Sequence, residues 1–561
     1  MKAQLLAAAA LLLSAPACAQ GPAPTPSRGV VSAAHPLAAE AGREILRQGG
    51  SAADAELAMM LALTVVEPQS SGIGGGGFFL YQPAKGKLVS IDGRETAPKA
   101  ATPRRFLDAS GKPLGRFQAI PGGLSVGVPG NIALMAMAHK RFGKLPWRTL
   151  FQPAIKLAEN GYPVSAPMAR GMGYVSQVWK EFPAISALYA PSGKPLAAGE
   201  MVKNPALALT LRRIAAIGPD AFYKGENAQA IVATVTGAKR NPADMTLADL
   251  AGYQAKERAP ICGAYRGYKI CGMGPPSSGA ITVLQILGML ERFDLKAMGP
   301  NDPKAWHLIA EAMQLAYADR ELYLGDPDFV SMPLKGLIDK NYLAQRSTLI
   351  DPARARGSYE AGTPPGAAPR SPGVSSEVKG TTHFVAVDHD GNVATMTSTV
   401  EGPFGSQLVT GGYVLNNELT DFTFAPEKNG APVANRVEGG KRPLSSMSPT
   451  IVYDAGGKPV FTVGAAGGKT IIMQVAKALI AHLDWGMSAR DSIALGLVYF
   501  GDNGIILERG TVLEPMKPAL EALGHRVNVA ELGLKANAAE LTTTGWVGAA
   551  DPRSVGEALG E

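Results

Sequence analysis

Cysteine and histidine are scarce: 561 residues hold three of the first and seven of the second. His35, His139, His307, His383, His389, His482 and His525 are scattered, with no HExxH, no Cys/His ligand spacing and no EF-hand loop. The familiar metal motifs are therefore excluded, and no metal is expected. Charge of one sign is also in short supply. The net +7 comes from 54 basic and 47 acidic residues, and no Lys/Arg run is interleaved with aromatics as a nucleic-acid groove requires. Beyond the first twenty residues no stretch is long and uncharged enough to span a bilayer. Coenzyme and serine-nucleophile motifs occur only out of context. Gly72, Gly74 and Gly77 spell G-x-G-x-x-G but follow a helical stretch and precede a strand, the reverse of a dinucleotide site. Gly123, Ser125 and Gly127 spell a nucleophile elbow, yet Val-Pro-Gly follows where a helix should begin, and Ser376 with Lys379 lacks its companion motifs. No cofactor is expected.

The opening MKAQLLAAAALLLSAPACAQ has the parts of a secretory leader: Lys2, an apolar core to Leu13, and the cleavage signal Ala17-Cys18-Ala19 before Gln20. Residues 1–19 read as a signal peptide, which would send the protein to the periplasm or outside the cell. A lipid anchor on Cys18 is the other outcome, although Ala15 stands where lipoprotein leaders usually carry a large aliphatic residue. Without the leader, Cys262 and Cys271 remain, in ICGAYRGYKICG. If Arg266-Gly267 makes a two-residue hairpin loop, the two cysteines face each other at a non-hydrogen-bonded pair, where Cα atoms approach to about 4.5 Å. That suits a disulfide in an oxidising compartment; two buried thiols are the alternative.

The chain exceeds the roughly 250 to 300 residues at which one core stops growing, so several domains or one unusually layered domain are expected. Its 46% hydrophobic and 18% charged residues are those of a soluble globular protein, and 66 glycines with 43 prolines imply many tight turns. Pro36 to Gln48 has amphipathic helical spacing stopped by Gly49-Gly50. Ser51 and Asp54 then form a capping-box pattern ahead of AELAMMLALTVV, apolar nearly all round and so expected between layers. The strands FFLYQ and KLVSIDG follow. From about Val128 to Ile350 helical stretches alternate with Pro/Gly-rich loops. Residues 351–380 are poor in large apolar side chains and read as a flexible linker. After it, strands dominate.

That linker ends at Gly380-Thr381. Cleavage there would make Thr381 an N-terminal threonine whose α-amine, with a reference pKa near ~8, can accept the proton of its own hydroxyl. HFVAVD and VATMTSTV flank His389-Asp390-Gly391. A three-residue loop with Gly391 left-handed sets Thr381 opposite Thr399, and a two-residue loop slips the register by one. Threonine favours strands in any case, so the hairpin alone does not decide.

Motifs from Gly29 to Ser554 add to it: ILRQGGSAADAELA, EPQSSGIGGGGF, DGRETAP, VPGNIA, QPAIKLAENGYPVS, YRGYKI, PPSSGA, YLGDPDF, GTTHFVAVD, NNELTDF, KRPLSSMSPT, GAAGG and DPRSV. In this order they resemble the γ-glutamyltransferases (γ-glutamyl transpeptidases, glutathione hydrolases), N-terminal-nucleophile hydrolases that mature by autocleavage. The resemblance implies an α+β fold, the αββα four-layer sandwich, cut into a large chain of residues 20–380 and a small catalytic chain of residues 381–561. It makes Thr381 the agent of cleavage at Gly380 and then the nucleophile on a γ-glutamyl amide, with Thr399 supporting it. It makes Gly467 and Gly468 the oxyanion hole, Arg94 with Ser445 and Ser446 the holders of the substrate α-carboxylate, and Glu418 and Asp421 the acceptors from the α-ammonium. The partners implied are small γ-glutamyl compounds such as glutathione, and amino-acid or peptide acceptors.

Two departures from the family pattern stand out. Glu401 replaces the usual asparagine two residues after the supporting threonine, where another carboxylate favours an ammonium and repels a carboxylate. The segment between Asp421 and Lys441 is short and lacks tyrosine, which implies a site without a lid. A β-lactam side-chain acylase of the same superfamily is therefore an alternative. A non-catalytic amino-acid-binding protein is another, against which the intact Gly380-Thr381 junction, Thr399 and the glycine pair argue.

Overall fold

The computed structural model describes residues 25–373, 377, 380–501 and 503–561. The stretch expected to be a leader, with Cys18, lies outside the described residues, as do Ser376 and Lys379. Two large sheets are built, in chain order, from β1 (Val30–Ala33), β2 (Gly76–Gln82), β3 (Val89–Gly93), β4 (Lys256–Arg258), β5 (Ile261–Tyr265), β6 (Tyr268–Gly272), β7 (Thr381–Val387), β8 (Val393–Thr399), β9 (Thr450–Tyr453), β10 (Pro459–Ala466), β11 (Lys535–Thr542), β12 (Gly545–Ala550) and β13 (Glu557–Gly560). The seven-stranded sheet has the order β13-β1-β7-β8-β2-β3-β4, and the six-stranded one β12-β11-β10-β9-β6-β5. β1 and β2 thus flank the β7–β8 hairpin, and β13, from the other end of the chain, pairs outside β1.

Alternation along β7 fixes the layering. Phe384 and Ala386 enter one core, with residues of α1 (Pro36–Arg47), α2 (Ala52–Val66) and α3 (Asn131–Phe142). Val385 and Val387 enter the other, which holds Ile451, Phe461 and Val463 of the second sheet. Beyond that sheet, the same core takes in α4 (Gly279–Leu290), α5 (Pro303–Tyr323) and α6 (Thr470–Leu483). The order is helix, sheet, sheet, helix, the expected αββα sandwich. All residues of α2 are buried, and each fully buried Leu or Met there contributes roughly 1.5–3 kcal/mol. Its capping box is made as the sequence predicts, Ser51 Oγ accepting from Asp54 N at 3.1 Å and Asp54 Oδ2 from Ser51 N at 3.0 Å. The N–H of Ala52 donates to Asp388 Oδ2 at 2.9 Å, tying the buried helix to the turn of the β7–β8 hairpin.

Cys262 and Cys271 face each other across β5 and β6 and are bonded, with Arg266 (φ 52°) and Gly267 (φ 84°) as the two-residue loop. Residues 351–373 form no helix or strand, in keeping with their composition, but polar anchors hold them. Glu311 accepts from Arg356 N at 3.0 Å and the Tyr359 hydroxyl at 2.5 Å, and Asp319 from Gly362 N at 2.8 Å. The segment between Asp421 and Lys441 carries a small hairpin, Glu427–Lys428 with Ala431–Pro432. Phe424 just before it stacks on Phe106.

Among the described residues, no helix is long and apolar enough to cross a membrane. One group of potential metal ligands, His307, Glu311 and His525, comes together there. The two rings are hydrogen-bonded to each other, His307 Nδ1 to His525 Nε2 at 2.7 Å. Because Asp351 O can only accept, His307 donates to it through Nε2 at 2.8 Å, so its Nδ1 accepts from His525.

Candidate active site

Thr381 opens β7, and strand periodicity gives it the same face as His383, Val385 and Val387, toward the second sheet. The register pairs Thr381 with Thr399 and Val387 with Val393. In the turn between, Asp388 N donates to Asn392 O and Gly391 N to Asp388 O, with Gly391 at φ 84°. This is the three-residue version of the expected loop. The Thr381 and Thr399 hydroxyls lie 3.1 Å apart, and each donates to the Gly380 carbonyl oxygen at 2.7 Å. Thr399 Oγ also accepts from Glu401 N at 2.8 Å, which orients its proton toward that carbonyl. The carbonyl of the bond to be cut is thus polarised by both hydroxyls.

Across the gap, β10 ends at Ala466 and α6 begins at Thr470, so Gly467 and Gly468 lie at a helix N-terminus, where partial positive charge collects. Gly467 has φ 133°, and a Cβ there would sit 2.6 Å from Thr470 Oγ. Among the described residues neither glycine donates its N–H to another protein group, so both donors remain for an oxyanion. The run SSGIGGGG serves the site sterically: a Cβ on Gly75 would collide with the carbonyl oxygen of Thr399.

A small, partly open cavity of about 10 Å³ is lined by Thr381, Thr399, Arg94, Glu401, Glu418, Asp421, Ser445 and Gly468, together with Glu377. Of the residues singled out from the sequence for the site, Gly467 is outside this lining, next in the chain to Gly468, and Ser446 joins the others through a 2.8 Å bond to Glu377. Arg94, buried at the end of β3, is already engaged. It pairs with Glu418 and, at 2.7 Å, with Asp421, and donates to the carbonyls of Pro443 and Leu444. Arg116 pairs with Glu401 at 2.6 Å and reaches Asp421 at 3.4 Å. Asn417 donates to the other oxygen of Glu401. Three carboxylates therefore share two guanidinium groups, and the buried Oε2 of Glu418 has no hydrogen-bond partner. Burial pushes the carboxyls of Glu418 and Asp421 well above the usual range despite Arg94, and that of Glu95 up to about 8. Such a group of acids favours an incoming ammonium. His383, two residues from Thr381, bonds to the hydroxyls of Thr397 and Thr395, and burial depresses it to about 3. It stays neutral, a strut rather than a base.

Residues 38–561 match the family model for gamma-glutamyltranspeptidase. The chain belongs to the gamma-glutamyltranspeptidase family. It is 38% identical over 508 residues to the glutathione hydrolase proenzyme of Bacillus subtilis (strain 168), covering 89% of this chain and 85% of that one. With the acylase ACY 1 proenzyme of Pseudomonas sp. (strain SE83) it shares 36% over 517 residues, 91% of this chain and 89% of the relative. In three dimensions it resembles the cephalosporin acylase from Bacillus halodurans at a TM-score of 0.86 and 27% identity, over 98% of this chain and 99% of that one.

Four residues around this gamma-glutamyltranspeptidase site escaped the sequence reading. Arg116 and Asn417 bind Glu401, and Arg320 with Glu377 reaches Ser446. Arg320 stands just ahead of the YLGDPDF motif, a cue that was present. Arg116 lies in an irregular stretch with no pattern to mark it.

Proposed function

We propose that this chain is a γ-glutamyltransferase and glutathione hydrolase that cuts itself at Gly380-Thr381 into chains of residues 20–380 and 381–561. The observation that carries the reading is the pair of hydroxyls on the Gly380 carbonyl, in a cavity that Gly468 also lines. In the first step the Thr381 hydroxyl oxygen attacks the Gly380 carbonyl carbon, the C–N bond breaks and the acyl group moves to oxygen. Water then hydrolyses the ester, leaving a carboxylate on Gly380 and a free amine on Thr381.

In turnover that amine takes the hydroxyl proton as the oxygen attacks the γ-carbonyl of the donor. Gly467 and Gly468 hold the developing oxyanion, and the leaving amine departs with the proton. The glutamyl ester passes to water or to an amino-acid or peptide amine. Glu418 and Asp421 receive the substrate ammonium, and Arg94, with Ser445 and Ser446, holds the α-carboxylate, next to which Glu401 adds an opposing charge. The leader at residues 1–19 and the Cys262–Cys271 bridge support export to the periplasm or beyond.

One feature favours the acylase reading as the alternative. A groove of about 240 Å³, lined by Phe117, Ile120, Tyr174 and Val178, opens beside Gly402 and Pro403, next to Glu401, and would suit an apolar leaving group. Product release from a γ-glutamyl anilide and a glutaryl-cephalosporin, each as sole substrate, separates the two. Preference for the anilide by kcat/KM is expected; preference for the cephalosporin would transfer the assignment to the acylases.

A further inference from the structure

Behind the glycine pair, the first turn of α6 carries two buried polar side chains, Thr470 and Gln474. Gln474 Nε2 donates to Ala466 O at 2.7 Å and to Thr470 Oγ at 3.2 Å, and Thr470 Oγ donates in turn to Gly467 O at 2.8 Å. The Gln474 carboxamide is fixed at its other end, where Oε1 accepts from Lys535 N of β11 at 3.3 Å. Every donor of the two side chains is thereby directed at a carbonyl of the turn or at the partner side chain.

These carbonyls belong to the peptide units that carry the two glycine N–H groups. A trans peptide unit is planar, with its C=O and N–H pointing in opposite directions, and both units here are trans. Holding Ala466 O therefore aims the Gly467 N–H away from Gln474. Holding Gly467 O aims the Gly468 N–H away from Thr470, and Gly468 lines the catalytic cavity. Gly467 and Gly468, at φ 133° and 60°, need the freedom of glycine, and the same freedom lets their peptide planes turn unless something holds them.

We propose that Thr470 and Gln474 are positioning residues for the oxyanion hole, a brace that keeps both glycine N–H groups aimed at the developing oxyanion. The proposal rests on the role given to the glycine pair above. Neither side chain contacts the substrate; each acts through the peptide plane whose carbonyl it holds. Donors fixed in advance need no reorganisation when the carbonyl turns tetrahedral, so the brace acts on the transition state and not on the bound substrate. Self-cleavage does not draw on it, because Gly380 O takes its hydrogen bonds from Thr381 and Thr399.

The test compares Thr470→Val, which keeps the shape and loses the hydroxyl, with Thr470→Ser, which keeps the hydroxyl. On a γ-glutamyl anilide, Thr470→Val should lower kcat about 10- to 100-fold with KM changed less than about twofold, a part of the roughly 100- to 1000-fold lost with an oxyanion donor. Gln474→Met should act in the same direction, and Thr470→Ser should restore turnover. Equal kcat in the Val and Ser variants, or a loss carried by KM, overturns the proposal. Because both side chains are buried, self-cleavage followed by intact mass is the folding control. Its half-time should match the wild type in every variant, and slowing in step with turnover overturns the proposal. A wild type that releases product from a glutaryl-cephalosporin but not from the anilide would refute glutamyl transfer alone. The Val and Ser comparison on the cephalosporin, whose amide forms the same kind of oxyanion, then decides the brace; a wild type inert to both overturns it.

Discussion

Glu401 shows how one residue can combine strain with specificity. Its φ of 77° lies in the left-handed region, which asparagine tolerates far better than glutamate. Its carboxylate is held there by Arg116 and Asn417 and adds to an acid-rich pocket. Replacing it with the asparagine usual in the family removes a charge that repels the substrate carboxylate and suits the backbone better. Glu401→Asn should lower KM for a γ-glutamyl anilide about fivefold, close to 1 kcal/mol. An unchanged or higher KM in steady-state assays would show that this carboxylate does not oppose donor binding. Glu401 was legible because it sits at a fixed distance from Thr399 in a motif. Arg116, which neutralises it, was not, because the two stand 285 positions apart and nothing between them marks their meeting.

At the scale of elements, the site depends on how closely the two sheets approach. Gly464 of β10 lies against the ring of His383 on β7, and a Cβ there would collide with it. Both are in the middle of buried strands, so neither has room to yield. Gly464→Ala should therefore destabilise by about 1–3 kcal/mol, the usual result of overpacking, and should slow self-cleavage by shifting β7. A urea midpoint and cleavage half-time equal to the wild type would contradict this. Local signals announced the helices α1 and α2, the β7–β8 hairpin and the β5–β6 hairpin, since caps, turn residues and period-two alternation lie within a few positions of each other. Sheet order did not appear in the sequence. β1 and β13, from opposite ends of the chain, pair in the sheet that holds the nucleophile, and no local pattern carries that pairing.

Across the whole molecule, the large and small portions are joined by polar contacts as well as by cores. His525, beyond the proposed cut, donates to His307 on α5, which in turn holds Asp351 at the start of the segment leading to Thr381. Burial, and then the neighbouring His307, lower the His525 pKa to about 4 from an ordinary 6.5. The unfolded chain therefore binds a proton below pH 6.5 that the folded one refuses. This contribution to stability is complete above pH 6.5 and is lost as pH falls toward 4, by up to about 3 kcal/mol. His525→Leu should flatten the fall in Tm over that range; an unchanged slope would place the acid sensitivity elsewhere.

Everything proposed for this chain turns on Thr381 becoming a chain end. Intact mass spectrometry of the purified protein beside its Thr381→Ala variant reads this directly. The account predicts two fragments meeting at Gly380-Thr381 in the wild type and one uncut chain in the variant. An uncut chain in both, or the same two fragments in both, would contradict it.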